Sequence, residues 1–164
     1  GHINILVNNA GIIKRIPMTE MSAAQFRQVI DVDLNAPFIV AKAIIPDMIA
    51  QGGGKIINIC SMMSELGRET VSAYAAAKGG VIAFTKELAH ELAKESINVN
   101  SVAPGLIDTR MARIRDWEDE IADTLWPRVG QPEDIANAVA FLASSASDYF
   151  TGQVISPNGG AWMQ

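Results

Sequence analysis

Three residues of this chain have the types and spacing needed to move a proton: Ser61, Tyr74 and Lys78. Tyr74 and Lys78 are four positions apart, so on a helix they share one face. An ammonium beside a phenol favours the phenolate and is predicted to lower its pKa from the usual value of about 10. This predicts a base that takes a proton from an alcohol near neutral pH. Ser61 ends an apolar run typical of a strand, where its hydroxyl can face a site at the strand's carboxyl end.

The elements that must position these residues alternate along the chain. Apolar runs typical of strands are followed by long helical patterns, which indicates a parallel sheet covered by helices on both faces. Ser22 and Ser72 are the predicted N-caps of two helices. The predicted strands are 3–7, 55–59, 97–102 and 153–156, and the predicted helices are 22–50, 72–94 and 132–143. The fold class is therefore α/β.

Composition excludes several classes of function. The 164 residues fit a single domain, and 49% of them are hydrophobic, which is enough for a real core. A formal net charge of −5 argues against a nucleic-acid surface. No apolar stretch approaches the roughly 20 residues of a membrane span. The single cysteine, Cys60, fits a reducing, cytoplasmic location and is interpreted as a buried core residue, and the two histidines suggest no metal site.

Four motifs in order resemble the short-chain dehydrogenase/reductase family: Asn8-Asn9-Ala10-Gly11, Ser61, Tyr74-x-x-x-Lys78 and Pro104-Gly105-x-x-x-Thr109. The resemblance covers the whole chain. Within the family, the segments 31–38 and 59–69 are most similar to the gluconate 5-dehydrogenase group. The resemblance implies a Rossmann-type doubly wound sheet, a nicotinamide cofactor (NAD or NADP) and a small-molecule substrate.

The resemblance also assigns roles to the residues that match its motifs. It implies that Ser61 binds the reacting oxygen, that Tyr74 is the general acid or base, and that Lys78 assists it and holds the cofactor ribose. Tyr74 is expected to contact the cofactor as well. The expected remaining cofactor contacts are Asn9, Ala10, Gly11, Pro104, Gly105, Ile107 and Thr109. By the same resemblance, residues 106–128 form a substrate lid.

Asp33 departs from the family pattern, which usually has Asn at this catalytic position. In the family, the main-chain carbonyl there holds a water that relays protons to the lysine. Pro37 rationalises why that carbonyl is free, since a helical carbonyl at 33 would accept from the N–H of residue 37 and proline has none. We therefore expect Asp33 to act through its backbone, with a simple kink at Pro37 as the alternative.

A dinucleotide fold also needs a Gly-rich turn after its first strand, and no G-x-G-x-x-G occurs in these 164 residues. The run 52–54 precedes a predicted strand and is interpreted as a flexible turn. The chain therefore resembles the C-terminal portion of a longer enzyme, with the predicted strand 3–7 as an apolar sheet edge.

The predicted function is hydride transfer between a nicotinamide cofactor and a secondary alcohol or ketone. The resemblance favours a polyol acid such as gluconate and its 5-keto form. A 3-oxoacyl-thioester reductase is the alternative enzyme, and a truncated, non-catalytic chain unable to bind cofactor is the alternative class. By resemblance, helices 22–50 and 72–94 pair across a two-fold axis, which implies a homodimer or homotetramer.

Overall fold

The computed structural model describes residues 1–112 and 124–163. Four strands form one parallel sheet in the order β1-β2-β3-β4. Leu6 of β1 pairs with Ile56 of β2, which pairs in turn with Val99 of β3. The strands are β1 Ile5–Asn8, β2 Gly54–Ile59, β3 Ile97–Val102 and β4 Val154–Ile155. All four predicted strands are confirmed, with ends that differ by at most two residues.

Helices connect each strand to the next, as a parallel sheet requires. They are α1 Ala23–Ile30, α2 Ala36–Ala50, α3 Met63–Leu66, α4 Ser72–Leu92 and α5 Pro132–Ala143. Two short 3₁₀ turns follow α4 and α5, at Ala93–Glu95 and Ser145–Ser147. The four-residue α3 was not predicted, because it is too short to show a helical period.

Adjacent residues of β2 point to opposite faces of the sheet and divide the core into two layers. Ile56 packs with Met48 of α2 and Leu88 of α4 on one face. Ile57 packs with Leu142 of α5 on the other face. All five residues are buried, so the sheet is covered on both sides, as the alternation of strands and helices predicts.

The predicted helix 22–50 is interrupted in the structure. Between α1 and α2, the segment Asp31–Asn35 is π-helical, and the Ala36 N–H bonds to the Asp31 carbonyl five residues back. Pro37 has no N–H to continue the α-helical pattern, which gives the local physical reason for the change. Single π-helical turns occur frequently at functional sites.

One of the two predicted N-caps is confirmed. The Ser22 hydroxyl accepts from the Gln25 N–H at 3.2 Å and forms a capping box. The prediction for Ser72 is wrong, because the cap position of α4 is Val71 and Ser72 is already helical. The Ser72 hydroxyl instead lies 3.6 Å from the sulfur of Met18.

Strand β1 lies at one edge of the sheet, and Ile5 and Val7 are exposed there. Within residues 1–112 and 124–163, no helix is both long and apolar enough to cross a membrane. The predicted lid, 106–128, lies partly outside the described residues, since 113–123 are not among them. A parallel bridge joins Ile107, near the start of this range, to Gly130, just after its end, and the lid itself stays a prediction.

Candidate active site

The carboxyl ends of β1, β2 and β3 meet at one edge of the sheet, because all three strands are parallel. A cavity of about 540 Å³ opens at this edge. Every predicted site residue except Asp33 lines it. These are Asn9, Ala10, Gly11, Ser61, Tyr74, Lys78, Pro104, Gly105, Ile107 and Thr109. Segments far apart in sequence thus converge on one site.

Tyr74 and Ser61 form the polar centre of the cavity. Both residues are buried, and a hydrogen bond joins the serine hydroxyl to the phenol. The Ser61 hydroxyl also accepts from the Met63 N–H at 3.2 Å, which fixes the serine rotamer. An oxygen bound beside both hydroxyls would therefore meet two pre-oriented partners.

The pKa of Tyr74 is raised from its usual value, which is opposite to the direction predicted from the sequence. Burial of the phenol is the largest cause, because it disfavours the charged form. The hydrogen bond from Ser61 and the charge of Arg15 lower the pKa, while the charge of Asp33 raises it. The prediction of a lowered Tyr74 pKa is therefore wrong, since burial outweighs the charges that favour the phenolate.

Lys78 is buried and held by two partners. Its Nζ donates to the Ile59 carbonyl at 3.0 Å and forms an ion pair with Asp33 Oδ2 at 3.3 Å. The same nitrogen lies 5.7 Å from the centre of the Tyr74 ring, as their four-residue spacing on α4 predicts. An ammonium has three donor hydrogens, so two contacts leave one for a ligand in the cavity.

Asp33 lies behind the cavity wall on the π-helical segment and is fully buried. Its Oδ1 accepts from the Ile12 N–H at 2.8 Å, while Oδ2 faces Lys78 without hydrogen-bond geometry. Burial raises the pKa of this carboxyl, and the Ile12 N–H and Lys78 oppose that rise. The sequence predicted a backbone role, but the side chain itself reaches the lysine. The proton relay through the Asp33 carbonyl stays a prediction.

The glycines at the site have different roles. A Cβ on Gly11 would lie 3.0 Å from Asp33 Oδ2 and 3.3 Å from Lys78 Nζ, so glycine leaves the ion pair room. A Cβ on Gly105 would lie 2.6 Å from the Asn158 Cα, so that glycine serves backbone packing. The Asn158 amide donates to Ser156 Oγ and to the Trp162 carbonyl, each at 2.8 Å. Residue 158 is therefore a structural turn residue.

Cys60 lines the cavity but is chemically protected. Its thiol donates to the Val102 carbonyl at 3.1 Å, and burial raises its pKa to about 11. A thiol of that pKa is almost entirely protonated at neutral pH, so it is a poor nucleophile. The interpretation of Cys60 as a buried core residue is confirmed. Within the part of the chain that the structure describes, no group of acidic, histidine or cysteine side chains could hold a metal ion.

Sequence reasoning missed two cations of the cavity wall, Arg15 and Arg68. Arg15 comes four residues after the Asn8–Gly11 motif, and Arg68 lies between Ser61 and Tyr74. The position of each arginine close to a site motif was the sequence signal that could have identified it as a cavity residue. Met62, Met63 and Met111 supply apolar surface to the same wall. The cavity therefore combines an acid–base centre, two guanidinium groups and flexible apolar side chains.

This fold and cavity define a dehydrogenase-type α/β site, and comparison with known proteins gives the family. The family described as enoyl-(acyl carrier protein) reductase matches residues 1–161. The chain belongs to the short-chain dehydrogenase/reductase family and has its Rossmann-type fold. The resemblance inferred from the motifs is thereby confirmed.

Among curated relatives, a 2-dehydro-3-deoxy-D-gluconate 5-dehydrogenase of Formosa agariphila is 49% identical over 98% of this chain. A 5-keto-D-gluconate 5-reductase of Escherichia coli is 43% identical, also over 98% of this chain. A solved gluconate 5-dehydrogenase from Burkholderia cenocepacia, in complex with NADP and tartrate, matches with a TM-score of 0.94 at 41% identity over 98% of this chain. The chain spans 63%, 65% and 65% of the lengths of these three proteins.

Proposed function

We propose that the protein is an NAD- or NADP-dependent oxidoreductase that interconverts a secondary alcohol and a ketone of a polyol acid, such as gluconate and its 5-keto form. The observation that carries this proposal is the convergence of Ser61, Tyr74 and Lys78 in one cavity at the carboxyl edge of the sheet. The names of the relatives support the substrate class.

In this proposal Tyr74 moves the proton. Its phenol is protonated at neutral pH, because burial raises a pKa that is ordinarily about 10. The phenol donates to the carbonyl oxygen in reduction, and the phenolate accepts from the alcohol in oxidation. Ser61 holds the same oxygen and stabilises the charge that develops on it. The buried Lys78 stabilises the phenolate when it forms. The nicotinamide, when bound, supplies or accepts the hydride.

The residues present fit the nicotinamide and ribose part of the cofactor. The Lys78 ammonium has a donor to spare for a ribose hydroxyl, and Gly11 leaves open space beside it. Ile107 and Thr109, which follow β3, line the same cavity. The sequence contains no G-x-G-x-x-G for the pyrophosphate, so the fit covers only one half of the dinucleotide.

The cations at the cavity wall favour an acidic substrate. Arg15 is close enough to Tyr74 for its charge to lower the phenol pKa, and Arg68 lines the same cavity. Guanidinium groups bind carboxylates through paired hydrogen bonds. A sugar acid could thus place its carboxylate on a guanidinium and its hydroxyl carbon at the phenol.

A 3-oxoacyl-thioester reductase is the second candidate. A 3-oxoacyl-[acyl-carrier-protein] reductase of Rickettsia bellii is 44% identical over 98% of this chain, and methionines line part of the cavity. Methionine side chains adapt to acyl chains of varied shape. The two candidates differ in whether the substrate carries a carboxylate or an apolar acyl chain.

The test of the function is a turnover assay of the protein, together with any residues that its gene encodes before Gly1. Oxidation of gluconate, reduction of 5-ketogluconate and reduction of an acetoacetyl thioester are followed through the nicotinamide absorbance. We expect the polyol acid to have the higher kcat/KM, with loss of turnover in Tyr74→Phe. A higher kcat/KM for the thioester would reject the polyol-acid assignment.

A binding test with nicotinamide mononucleotide distinguishes the proposed enzyme from the alternative, a chain that cannot bind the cofactor. This ligand has only the nicotinamide half, which is the part that the cavity residues fit. Saturation-transfer NMR is expected to detect binding to the 164-residue chain and a weaker signal for Lys78→Ala. Identical signals for both proteins would mean that the cavity does not hold the ribose as proposed.

We further propose that α2 and α4 associate with a second copy of the chain in a homodimer or homotetramer. Phe38, Ile39 and Ile49 of α2 are exposed, and Phe38 stacks edge-on against Phe84 of α4 at 6.3 Å. Light scattering at micromolar concentration is expected to detect an oligomer that Ile39→Glu dissociates. The matched control Leu66→Glu, at an exposed position on α3, should leave it intact.

A further inference from the structure

Asp33 and Lys78 form a buried pair of opposite charges directly behind the acid–base centre. The aspartate is fully buried and the lysine side chain is 5% exposed, with 3.3 Å between Oδ2 and Nζ. Burying two charges is costly, and losing one partner leaves the other uncompensated. Packing alone therefore does not explain why this charged pair is buried here.

Anchoring alone does not require a carboxylate at position 33. Its contact with the Ile12 N–H, at 2.8 Å, uses one oxygen, which an asparagine amide would supply equally well. The carboxylate adds a second oxygen and a negative charge, and both face Lys78. Gly11 keeps this space clear, because a Cβ there would contact both partners. The charge itself is thus the feature that needs an explanation.

Among the residues that the structure describes, charged and titratable groups lie near Tyr74 on several of the surrounding elements. Lys78 lies one helical turn away on α4, and Asp33 approaches from the π-helical segment. Cys60 follows β2 and is neutral below a pH of about 11. Arg15 follows β1, and its positive charge favours the phenolate. Arg68 lines the same cavity from the segment before α4. Asp33 is the one acidic side chain in this set.

We propose that Asp33 is a positioning residue whose carboxylate holds the Lys78 ammonium and offsets its charge, so that Tyr74 stays protonated and ready to donate to a carbonyl oxygen. This inference rests on the proposed function of the site. A protonated phenol is the form that donates in ketone reduction, so the ion pair favours the form of the site that this direction uses. The effect acts through Lys78 and through the field at the phenol, without contact between Asp33 and substrate.

The test is an ultraviolet titration of the Tyr74 phenol, which needs neither cofactor nor turnover. The chain has two tyrosines, and Tyr149 is fully exposed. Tyr149→Phe therefore leaves Tyr74 as the single ionising phenol. Cys60→Ala in the same background removes the thiol, whose pKa of about 11 would add a second titration. Circular dichroism at each pH establishes that the fold is intact.

In this background, Asp33→Asn is expected to lower the midpoint of the Tyr74 titration, because the ammonium is no longer offset. Asp31→Asn is the matched control, since it removes an exposed carboxylate from the same π-helical segment. It should leave the midpoint unchanged. Should Asp33→Asn fail to fold, Asp33→Ala replaces it with the same expectation.

A midpoint that is unchanged or raised in Asp33→Asn overturns the proposal. An equal decrease in Asp31→Asn overturns it too, since the effect would then follow net charge rather than the buried pair. The titration is independent of the turnover assay. Absence of turnover with the expected titration would therefore reject the proposed function and leave the role of Asp33 in the ion pair standing.

Discussion

Thr85 is expected to determine how firmly helix α4 is fixed to the sheet. Its Oγ1 donates to the Val81 carbonyl at 2.8 Å and accepts from Asn58 Nδ2 at 2.9 Å and from Ser101 Oγ at 3.3 Å. Asn58 in turn accepts from Asn8 Nδ2 at 2.8 Å. These contacts join β1, β2 and β3 to the helix that carries both Tyr74 and Lys78.

Thr85→Val keeps the shape of the side chain and removes its acceptor. Asn58 and Thr85 are both fully buried, so water does not replace the lost partner of the Asn58 amide. Leaving a buried donor unsatisfied costs about 1–3 kcal/mol. We therefore expect Thr85→Val to lower the free energy of unfolding by about 2 kcal/mol. For a chain of this size, that is a decrease in Tm of about 4–8 °C.

Thr85→Ser is the matched control, because it keeps the hydroxyl and removes one buried methyl group. Its expected cost is about 1 kcal/mol. Urea unfolding of the three proteins measures both free-energy differences. A Thr85→Val protein as stable as the parent, or a larger loss in Thr85→Ser than in Thr85→Val, would show that packing rather than the hydrogen-bond network fixes the helix.

Four further predictions concern the site, the cofactor and α5. In the protein with any residues that its gene encodes before Gly1, Tyr74→Phe should reduce turnover by about 10²–10⁴-fold with little change in cofactor binding. Lys78→Ala should weaken that binding and move the pH optimum of alcohol oxidation upward, which steady-state kinetics can measure. The 164-residue chain alone should bind NAD or NADP poorly in calorimetry, because it lacks the phosphate turn, and a low-micromolar Kd would contradict this. Asp134 has its pKa lowered to about 2 by hydrogen bonds from Arg128 and the Gln131 N–H. A lowered pKa stabilises the fold above the ordinary value of 3.8 and loses this effect as the pH falls toward 2. Asp134→Asn should thus be less stable than the parent in neutral urea unfolding, and the difference should disappear at acidic pH.

The order and type of the main elements could be predicted from the sequence, because hydrophobic period and turn residues act locally. The helix 132–143 and the strand 97–102 have the predicted bounds in the structure. The interruption of the helix 22–50 was signalled only by Pro37. Its π-helical form depends on how α1 and α2 pack on their neighbours, and the local sequence does not predict that packing.

For the site, too, some features follow from local sequence and others only from tertiary packing. The sequence by itself determined that Tyr74 and Lys78 share a helix face and that Ser61 follows a strand, because these relations are matters of spacing. Only the tertiary structure decided that the Asp33 side chain meets Lys78, 45 positions later in the chain. It also decided that the Tyr74 pKa rises, because burial and the field of distant charges depend on which segments pack together. Those contacts arise from folding across the sheet, and spacing along the chain does not specify them.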